Sequence, residues 1–135
     1  MSIVLVTGCF DVIHRGHIDL LKFAACYGTV VVGLNSDKAV RSLKGKTRPV
    51  NCYQDRAAVI EAIRAVSCVF EIDDIRVADA ISKIRPDVWV KGGDYSMETL
   101  DDTEKAACRN GTKIVLFPST PGLSTTRTLK CLDQT

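Results

Sequence analysis

The chain has 135 residues, 46% of them hydrophobic and 25% charged, which is the composition of an ordinary soluble domain with a buried core. A formal net charge of +2, carried by lysines and arginines scattered along the chain, argues against a nucleic-acid-binding protein. No apolar run is long enough to span a membrane, and the chain enters its first predicted strand without a signal peptide, so we expect a cytoplasmic protein.

Strand and helix patterns alternate along the chain. Short apolar runs predict strands over residues 3–6, 29–34, 68–72, 87–90 and 113–117. Apolar residues at helical spacing predict helices from about residue 14 to 25 and over 54–66, 78–84, 100–109 and 124–132. Asn35, Ser36 and Asp37 cap a short helical turn, and a basic loop follows over residues 41–51. The alternation predicts a single Rossmann-like α/β domain over residues 1–135, with about five parallel strands and helices on both faces.

The join between the first strand and the first helix contains both histidines of the chain, His14 and His17. Three residues apart at a helix start, they share one face of the helix. Gly16 between them leaves room for a bulky anion near the backbone. The unpaired N–H groups and the positive dipole end of a helix start favour the same kind of ligand. These features predict a phosphate site, at the carboxyl edge of the sheet where such folds bind ligands.

Other interpretations of this join stay open on the residues alone. The histidine pair could simply cap the helix, or Cys9, His14 and His17 could be zinc ligands, although no fourth ligand stands at a finger-like spacing. Cys9 could also be a redox-active thiol of low pKa. None of the six cysteines belongs to a Cys-x-x-Cys pair, so we expect reduced thiols.

Residues 7–21, TGCFDVIHRGHIDLL, resemble the signature of the cytidylyltransferase-like nucleotidyltransferases, whose mark is His-x-Gly-His after the first strand. The resemblance implies that His14 and His17 donate to the nucleotide phosphates as charge develops. It implies Mg²⁺ as a cofactor held through those phosphates, with no direct protein ligand. Asp11 is interpreted as a structural or metal-side partner. The further residues implied in nucleotide binding by this motif are Thr7, Gly8, Phe10, Asp11 and Gly16.

Two more segments are similar to the adenylyltransferase domain of ADP-heptose synthases within that family. They are residues 43–51, LKGKTRPVN, and residues 91–95, KGGDY. On charge alone, the cations of the first segment would be solvated surface residues. The resemblance instead implies that Lys44, and as a second choice Lys46, contacts nucleotide phosphates, and that a nearby arginine, Arg56, braces the site. In the second segment it implies nucleotide contacts from Lys91, Gly92 and Asp94, with Tyr95 as a wall for the base.

The last predicted helix begins with residues 123–127, LSTTR. Ser124 is a good N-cap, which by itself could explain its presence. Three hydroxyls at a helix start, Ser124, Thr125 and Thr126, also form an anion site with Arg127. The family uses this segment for the β- and γ-phosphates of the nucleotide, and the resemblance implies that Lys44 and Arg127 hold the departing pyrophosphate.

The resemblance predicts an enzyme that transfers a nucleoside monophosphate, AMP from ATP, to a sugar 1-phosphate such as heptose 1-phosphate or to a similar phosphate, and releases pyrophosphate. The alternative is a glycerol-3-phosphate cytidylyltransferase-like enzyme that uses CTP. Arg64 matches an arginine typical of that group, whereas Ser119 stands where those enzymes commonly carry an arginine. A nucleotide-binding regulator without turnover is a further hypothesis. Because no sugar-kinase segment is present, we expect the chain to work alone or with a separate kinase, and a homodimer stays open.

Overall fold

Five parallel strands form one sheet in the order β3-β2-β1-β4-β5. The strands are β1 (Ile3–Gly8), β2 (Thr29–Asn35), β3 (Val66–Ile72), β4 (Val88–Gly92) and β5 (Lys113–Phe117). The helices are α1 (Arg15–Ala25), α2 (Asp37–Lys44), α3 (Tyr53–Glu61), α4 (Ala78–Ile84), α5 (Asp102–Cys108) and α6 (Thr125–Asp133). The computed structural model describes residues 2–73, 77–93, 96–118 and 124–133. This architecture confirms the predicted Rossmann-like α/β fold.

The central strand β1 is apolar on both faces because helices cover the sheet on both sides. Val4 and Val6 enter one core cluster, which includes buried residues of α1 and α3 such as Leu21 and Ile60. Leu5 points to the other face and joins a second cluster, which includes residues of α4 and α5. Each cluster therefore holds its helices against one face of the sheet, and β1 lies between its neighbours β2 and β4 with its carboxyl end in the middle of the sheet edge.

The clearest differences from the sequence-based prediction concern three helices. Helix α2 runs to Lys44, so the loop begins four residues later than expected. Ser36 caps the start of this helix by accepting from the Ala39 N–H at 3.1 Å. Helix α3 ends at Glu61 instead of residue 66. The apolar residues beyond it continue the hydrophobic pattern into β3, and periodicity alone cannot separate the two elements. Helix α5 covers Asp102–Cys108 instead of residues 100–109, since Asp101 caps it.

The structure bears on two further expectations, that the chain has no membrane-spanning run and that its cysteines are reduced. Within the described residues no helix is long and apolar enough to cross a bilayer. All six cysteines are free thiols, as the spacing analysis predicted.

Candidate active site

A cavity of about 740 Å³ opens at the carboxyl edge of the sheet, between the ends of β1, β2, β4 and β5. It brings together residues from both termini, including His14 and His17 at the start of α1 and Ser124 at the start of α6. The other residues of the predicted site that line it are Thr7, Gly8, Phe10, Asp11, Gly16, Lys44, Lys91, Gly92, Thr125 and Thr126. Most of the predicted site therefore shares one cavity.

Three predicted site residues lie elsewhere. Lys46 and Arg127 are exposed and do not line the cavity, and Arg56 is buried behind its wall. The predicted nucleotide contact Asp94 falls outside the described residues, as do Tyr95, Ser119 and Leu123. The roles assigned to these residues stay predictions.

The two histidines form a capping box at the start of α1. The Gly16 N–H donates to His14 Nδ1 at 3.0 Å, and the His14 N–H donates to His17 Nδ1 at 3.1 Å. The interpretation that they cap the helix is therefore correct, but it uses only one nitrogen of each ring. Because each Nδ1 accepts a hydrogen bond, the hydrogen of the neutral ring sits on Nε2. The cavity thus has two imidazole N–H donors side by side, with ring centroids 4.0 Å apart.

Both histidines are neutral near pH 7. Burial lowers the pKa of His17 to about 4, and the adjacent His14 adds to this effect. Burial also lowers the pKa of His14 below its usual value. Each ring therefore offers one N–H donor without a full positive charge.

The helix starts that line the cavity differ in the charge of their first turns. Helices α1 and α6 carry no acidic residue there. Helix α4, whose N-cap Val77 lines the cavity, has Asp79 in its first turn, and α5, whose N-cap Asp101 lines it, has Asp102 and Glu104. An acid near a helix start occupies the positive end of the dipole and repels an anionic ligand. Helices α1 and α6 thus leave the positive ends of their dipoles available for a bound anion.

The segment between β1 and α1 has a strained backbone. Phe10 and Val12 both have positive φ values, 47° and 54°, which is a rare conformation for a β-branched residue such as Val12. The Thr125 hydroxyl at the start of α6 donates to the carbonyl oxygens of Asp11 and Val12, at 2.5 and 3.2 Å. Contacts between the two ends of the chain therefore hold this segment in the shape that the cavity needs.

Asp11 connects the same segment to the loop after α2. Its fully buried carboxylate accepts from the Val50 N–H at 2.6 Å, the Asn51 N–H at 3.0 Å and Arg48 Nε at 3.3 Å. These partners support the interpretation of Asp11 as a structural residue. Arg48 belongs to the basic loop but is buried against the cavity, which charge patterning alone did not indicate.

Arg56 braces the carboxyl ends of β1 and β2. Its guanidinium donates to the carbonyl oxygens of Asn51, Cys9 and Asn35 at 2.8 to 2.9 Å, and pairs with Asp37 at 2.7 Å. Every guanidinium nitrogen is engaged with the protein. The bracing role implied by the resemblance fits this geometry, whereas a direct nucleotide contact would require one of these bonds to break.

Lys91 at the end of β4 lies between an acid and an aromatic ring. Its Nζ is 3.2 Å from a carboxylate oxygen of the buried Glu104 and 5.4 Å from the centre of the Trp89 ring. The Trp89 indole N–H donates to the Thr7 hydroxyl at 3.2 Å. Glu104 was not among the predicted site residues. Glu104 belongs to none of the predicted motifs, so no local signal in the sequence indicated it.

Two of the other interpretations conflict with this geometry. Burial raises the pKa of Cys9, outweighing the lowering effect of Lys44, Arg56 and Arg48, so its thiol lacks the low pKa that a redox site requires. Among the described residues, no group of three or more cysteine, histidine or acidic side chains is arranged to hold a metal, which removes the proposed zinc set of Cys9, His14 and His17.

Comparison with known proteins identifies the family. The cytidylyltransferase-like sequence profile matches residues 5–130. The chain belongs to the cytidylyltransferase-like family. Two curated relatives are the bifunctional proteins HldE of Hyphomonas neptunium and Koribacter versatilis, 43% and 42% identical to it over 93% and 95% of this chain. The aligned regions are 26% of each relative, so this cytidylyltransferase-like chain spans about a quarter of their length.

Two solved structures have a fold similar to that of this chain. The lipopolysaccharide core biosynthesis protein from Thermoplasma volcanium superposes with a TM-score of 0.72 at 25% identity, covering 89% of this chain and 97% of that protein. The pantoate-beta-alanine ligase from Francisella tularensis gives a TM-score of 0.59 at 17% identity, covering 96% of this chain and 65% of that one. At 17% identity, the similarity to the pantoate-beta-alanine ligase concerns the fold alone.

Proposed function

We propose that the chain is a nucleotidyltransferase that transfers AMP from ATP to a sugar 1-phosphate such as heptose 1-phosphate and releases pyrophosphate. The observation that carries this proposal is the pair of neutral histidines, His14 and His17, whose Nδ1 atoms are held by the helix start and whose Nε2–H groups remain as donors. The cytidylyltransferase-like profile and the identity to HldE proteins support the same reaction class.

The reaction needs no covalent intermediate on the protein. An oxygen of the acceptor phosphate attacks the α-phosphorus of ATP, a new P–O bond forms, and the bond to the β-phosphate oxygen breaks as pyrophosphate leaves. Catalysis then consists of positioning the two phosphates and stabilising the charge that develops on them. His14 and His17 supply two donors fixed in place by the capping box, so they lose little freedom when the phosphate arrives.

The pyrophosphate end of the nucleotide is assigned to the start of α6. The Ser124 hydroxyl accepts from the Arg127 N–H at 3.0 Å, and the Thr125 hydroxyl is used on Asp11 and Val12. Because the Ser124 hydroxyl only accepts here, its O–H remains a donor, and with Thr126 and the positive end of the α6 dipole it can face an anion. Lys44, at the end of α2, lines the same cavity with a long and exposed side chain.

The side chains of the cavity fit a magnesium ion that is carried in by the nucleotide. Asp11 is committed to Arg48 and to two backbone N–H groups, Glu104 is paired with Lys91, and Asp101 caps α5. Among the described residues no carboxylate cluster is therefore arranged as a protein cage, and the ion would be held through phosphate oxygens. When bound, it supplies positive charge that offsets the charge of the phosphates.

The nucleotide is proposed to be ATP instead of CTP. Arg64, the residue that resembles the cytidylyltransferases for glycerol phosphate, is exposed and does not line the cavity. The resemblance of residues 43–51 and 91–95 to ADP-heptose synthases and the identity to HldE proteins favour the adenylyl reaction.

The proposal is tested by a matrix of ATP, CTP, GTP and UTP against heptose 1-phosphate, mannose 1-phosphate and glycerol 3-phosphate, with pyrophosphate release as the readout. We expect turnover with ATP and a sugar 1-phosphate. A variant that lacks the His17 donor, His17→Asn, is the negative control. Binding of ATP without turnover of any pair would contradict the proposal and favour a nucleotide-binding regulator.

A further inference from the structure

Two arginines are buried behind the β2 side of the cavity, and they differ in what their guanidinium groups contact. Arg56 engages every nitrogen with carbonyl oxygens or with Asp37, and its side chain is 1% exposed. The Arg48 side chain is 10% exposed and makes one hydrogen bond in the described part of the chain, from Nε to Asp11 at 3.3 Å. The two nitrogens Nη1 and Nη2 of Arg48 have no acceptor there.

The Arg48 fork opens into the cavity. Arg48 lines the cavity, and among the described residues no fully buried side-chain nitrogen or oxygen is left without a partner. Nη1 and Nη2 of this cavity-lining residue therefore keep some solvent access. Asp11 cannot turn toward them, because Val50 and Asn51 hold both of its oxygens. A largely buried guanidinium with a fixed orientation and an unused fork is suited to a bidentate contact with a phosphate or carboxylate.

The position of Arg48 relative to β1 indicates which phosphate it contacts. The histidines lie at the end of the central strand β1, where the α-phosphate is placed by the proposed function. Helix α6 follows β5, on one side of β1, whereas Asn35 ends β2 and Arg48 lies in the loop after α2, the helix that follows β2 on the other side. In an in-line displacement the attacking and leaving oxygens are on opposite sides of the phosphorus. The leaving pyrophosphate at α6 therefore puts the attacking phosphate on the β2 side.

We propose that Arg48 binds the phosphate of the acceptor and that this β2 side of the cavity is the acceptor subsite. This inference rests on the proposed function and adds the group that recognises the second substrate. The buried Asn35 lines the same wall and is placed to contact the sugar or its phosphate. Asp11 holds the Arg48 side chain in place, whereas the Lys44 side chain is exposed.

The test separates the two substrates kinetically. Arg48→Lys keeps a positive charge for Asp11 and removes the fork, and Arg48→Met removes both. We expect Arg48→Lys to raise the KM for heptose 1-phosphate about tenfold or more while the KM for ATP changes by less than about threefold, because one charge-assisted contact is lost on one substrate. Arg41→Met is the matched control, since Arg41 lies on the exposed surface of α2, outside the cavity lining.

Each result decides the inference. An equal or larger effect on the ATP KM would make Arg48 a nucleotide contact, and unchanged constants for both substrates would make it structural; either result overturns the proposal. Titration of Arg48→Lys with a non-hydrolysable ATP analogue keeps the question answerable if turnover becomes too slow to measure, because the proposal requires near-normal affinity for the analogue.

If the wild-type protein turns over no acceptor, the proposed function fails and the inference falls with it. If the wild type is active and Arg48→Lys retains its acceptor kinetics, this inference alone fails.

Discussion

His17 uses its two ring nitrogens for different purposes. Nδ1 accepts from the His14 N–H and completes the capping box, so this nitrogen contributes to the stability of α1. Nε2 is left for the cavity and defines the donor that the proposed chemistry uses. Replacing the ring with alanine would remove both functions at once. Asparagine separates the two functions. Its side-chain oxygen can occupy the place of Nδ1, and the asparagine side chain has no atom at the place of Nε2.

His17→Asn should therefore keep the fold and lose activity. We expect turnover in the pyrophosphate assay to fall by at least about a hundredfold, which is the effect of losing one preorganised donor to a developing charge. The melting temperature should stay within a few degrees of the wild type, since the cap acceptor is retained. A folded His17→Asn protein with near-wild-type turnover would leave His17 as a capping residue only.

The same ring makes stability depend on pH. The native pKa of His17 is about 4, below the usual value of 6.5, so the unfolded chain takes up a proton first as the pH falls. The stability that the neutral ring contributes is complete above pH 6.5 and is lost as the pH falls toward 4. The loss assigned to this ring is at most about 3 kcal/mol, and less because the ring is partly exposed.

Urea unfolding between pH 7 and pH 4 measures this effect, with His17→Asn as the reference that cancels other titrating groups. The difference in unfolding free energy between the wild type and the variant should shrink or reverse as the pH decreases. A difference that stays constant over this range would mean that the pKa of His17 is not lowered in the native state.

At the scale of secondary structure, Arg56 connects the elements that form the β2 side of the site. It reaches from α3 to the carbonyl oxygens of Cys9 after β1 and Asn35 at the end of β2, and to Asp37 in the first turn of α2. Arg56→Met would leave the two carbonyl oxygens and the partly exposed Asp37 carboxylate without this donor. We expect a loss of about 3 to 5 kcal/mol of unfolding free energy, measured by urea denaturation.

Arg41→Met is the control for this variant, because an exposed arginine on α2 should change stability by no more than about 0.5 kcal/mol. If Arg56→Met were as stable as the control, the brace would not contribute to the fold. If its stability fell as expected and the ATP KM of the remaining folded protein were unchanged, the direct nucleotide contact predicted for Arg56 would be wrong.

The elements were predictable where local signals are strong. Strand β5 and helix α4 have the predicted bounds, because apolar runs and flanking residues such as Pro86 mark them clearly. The end of α3 was not predictable, since residues 63–66 are apolar in a way that suits either a helix or a strand. The extent of α2 was underestimated because its polar sequence offers no core-facing pattern beyond Ala39 and Val40.

The site was predictable as a set of motifs, but the contacts between the motifs were not. His14, His17, Ser124 and Lys44 come from local patterns and a family resemblance, and the structure brings them to one cavity. Arg48 and Arg56 have the same chemistry and lie eight residues apart, yet one faces the cavity and the other braces its wall. Their difference depends on partners such as Asp11, far away in the sequence, so no local pattern could reveal it.

At the scale of the whole molecule, the sheet order explains how one small domain brings distant segments to one cavity. Strand β1 is central, so the loop after it contacts both the loop that follows α2 and the start of α6. The Thr125 hydroxyl contacts residues more than 110 positions earlier in the chain, which links the C-terminal helix to the strained segment at Val12. The cavity is therefore completed only when the last helix is in place.

The choice of nucleotide base is a property of the whole molecule. We expect ATP to be preferred over CTP by at least about tenfold in kcat/KM. The physical reason is that a wrong donor pattern at the base edge leaves buried groups unpaired. The identity to HldE proteins and the exposed position of Arg64 support this expectation. The measurement is kcat/KM for both nucleotides with one accepted sugar phosphate. His17→Asn serves as the control, because loss of a phosphate donor should lower both constants and leave their ratio unchanged. A clear preference for CTP would contradict the adenylyl reaction and support the cytidylyl alternative.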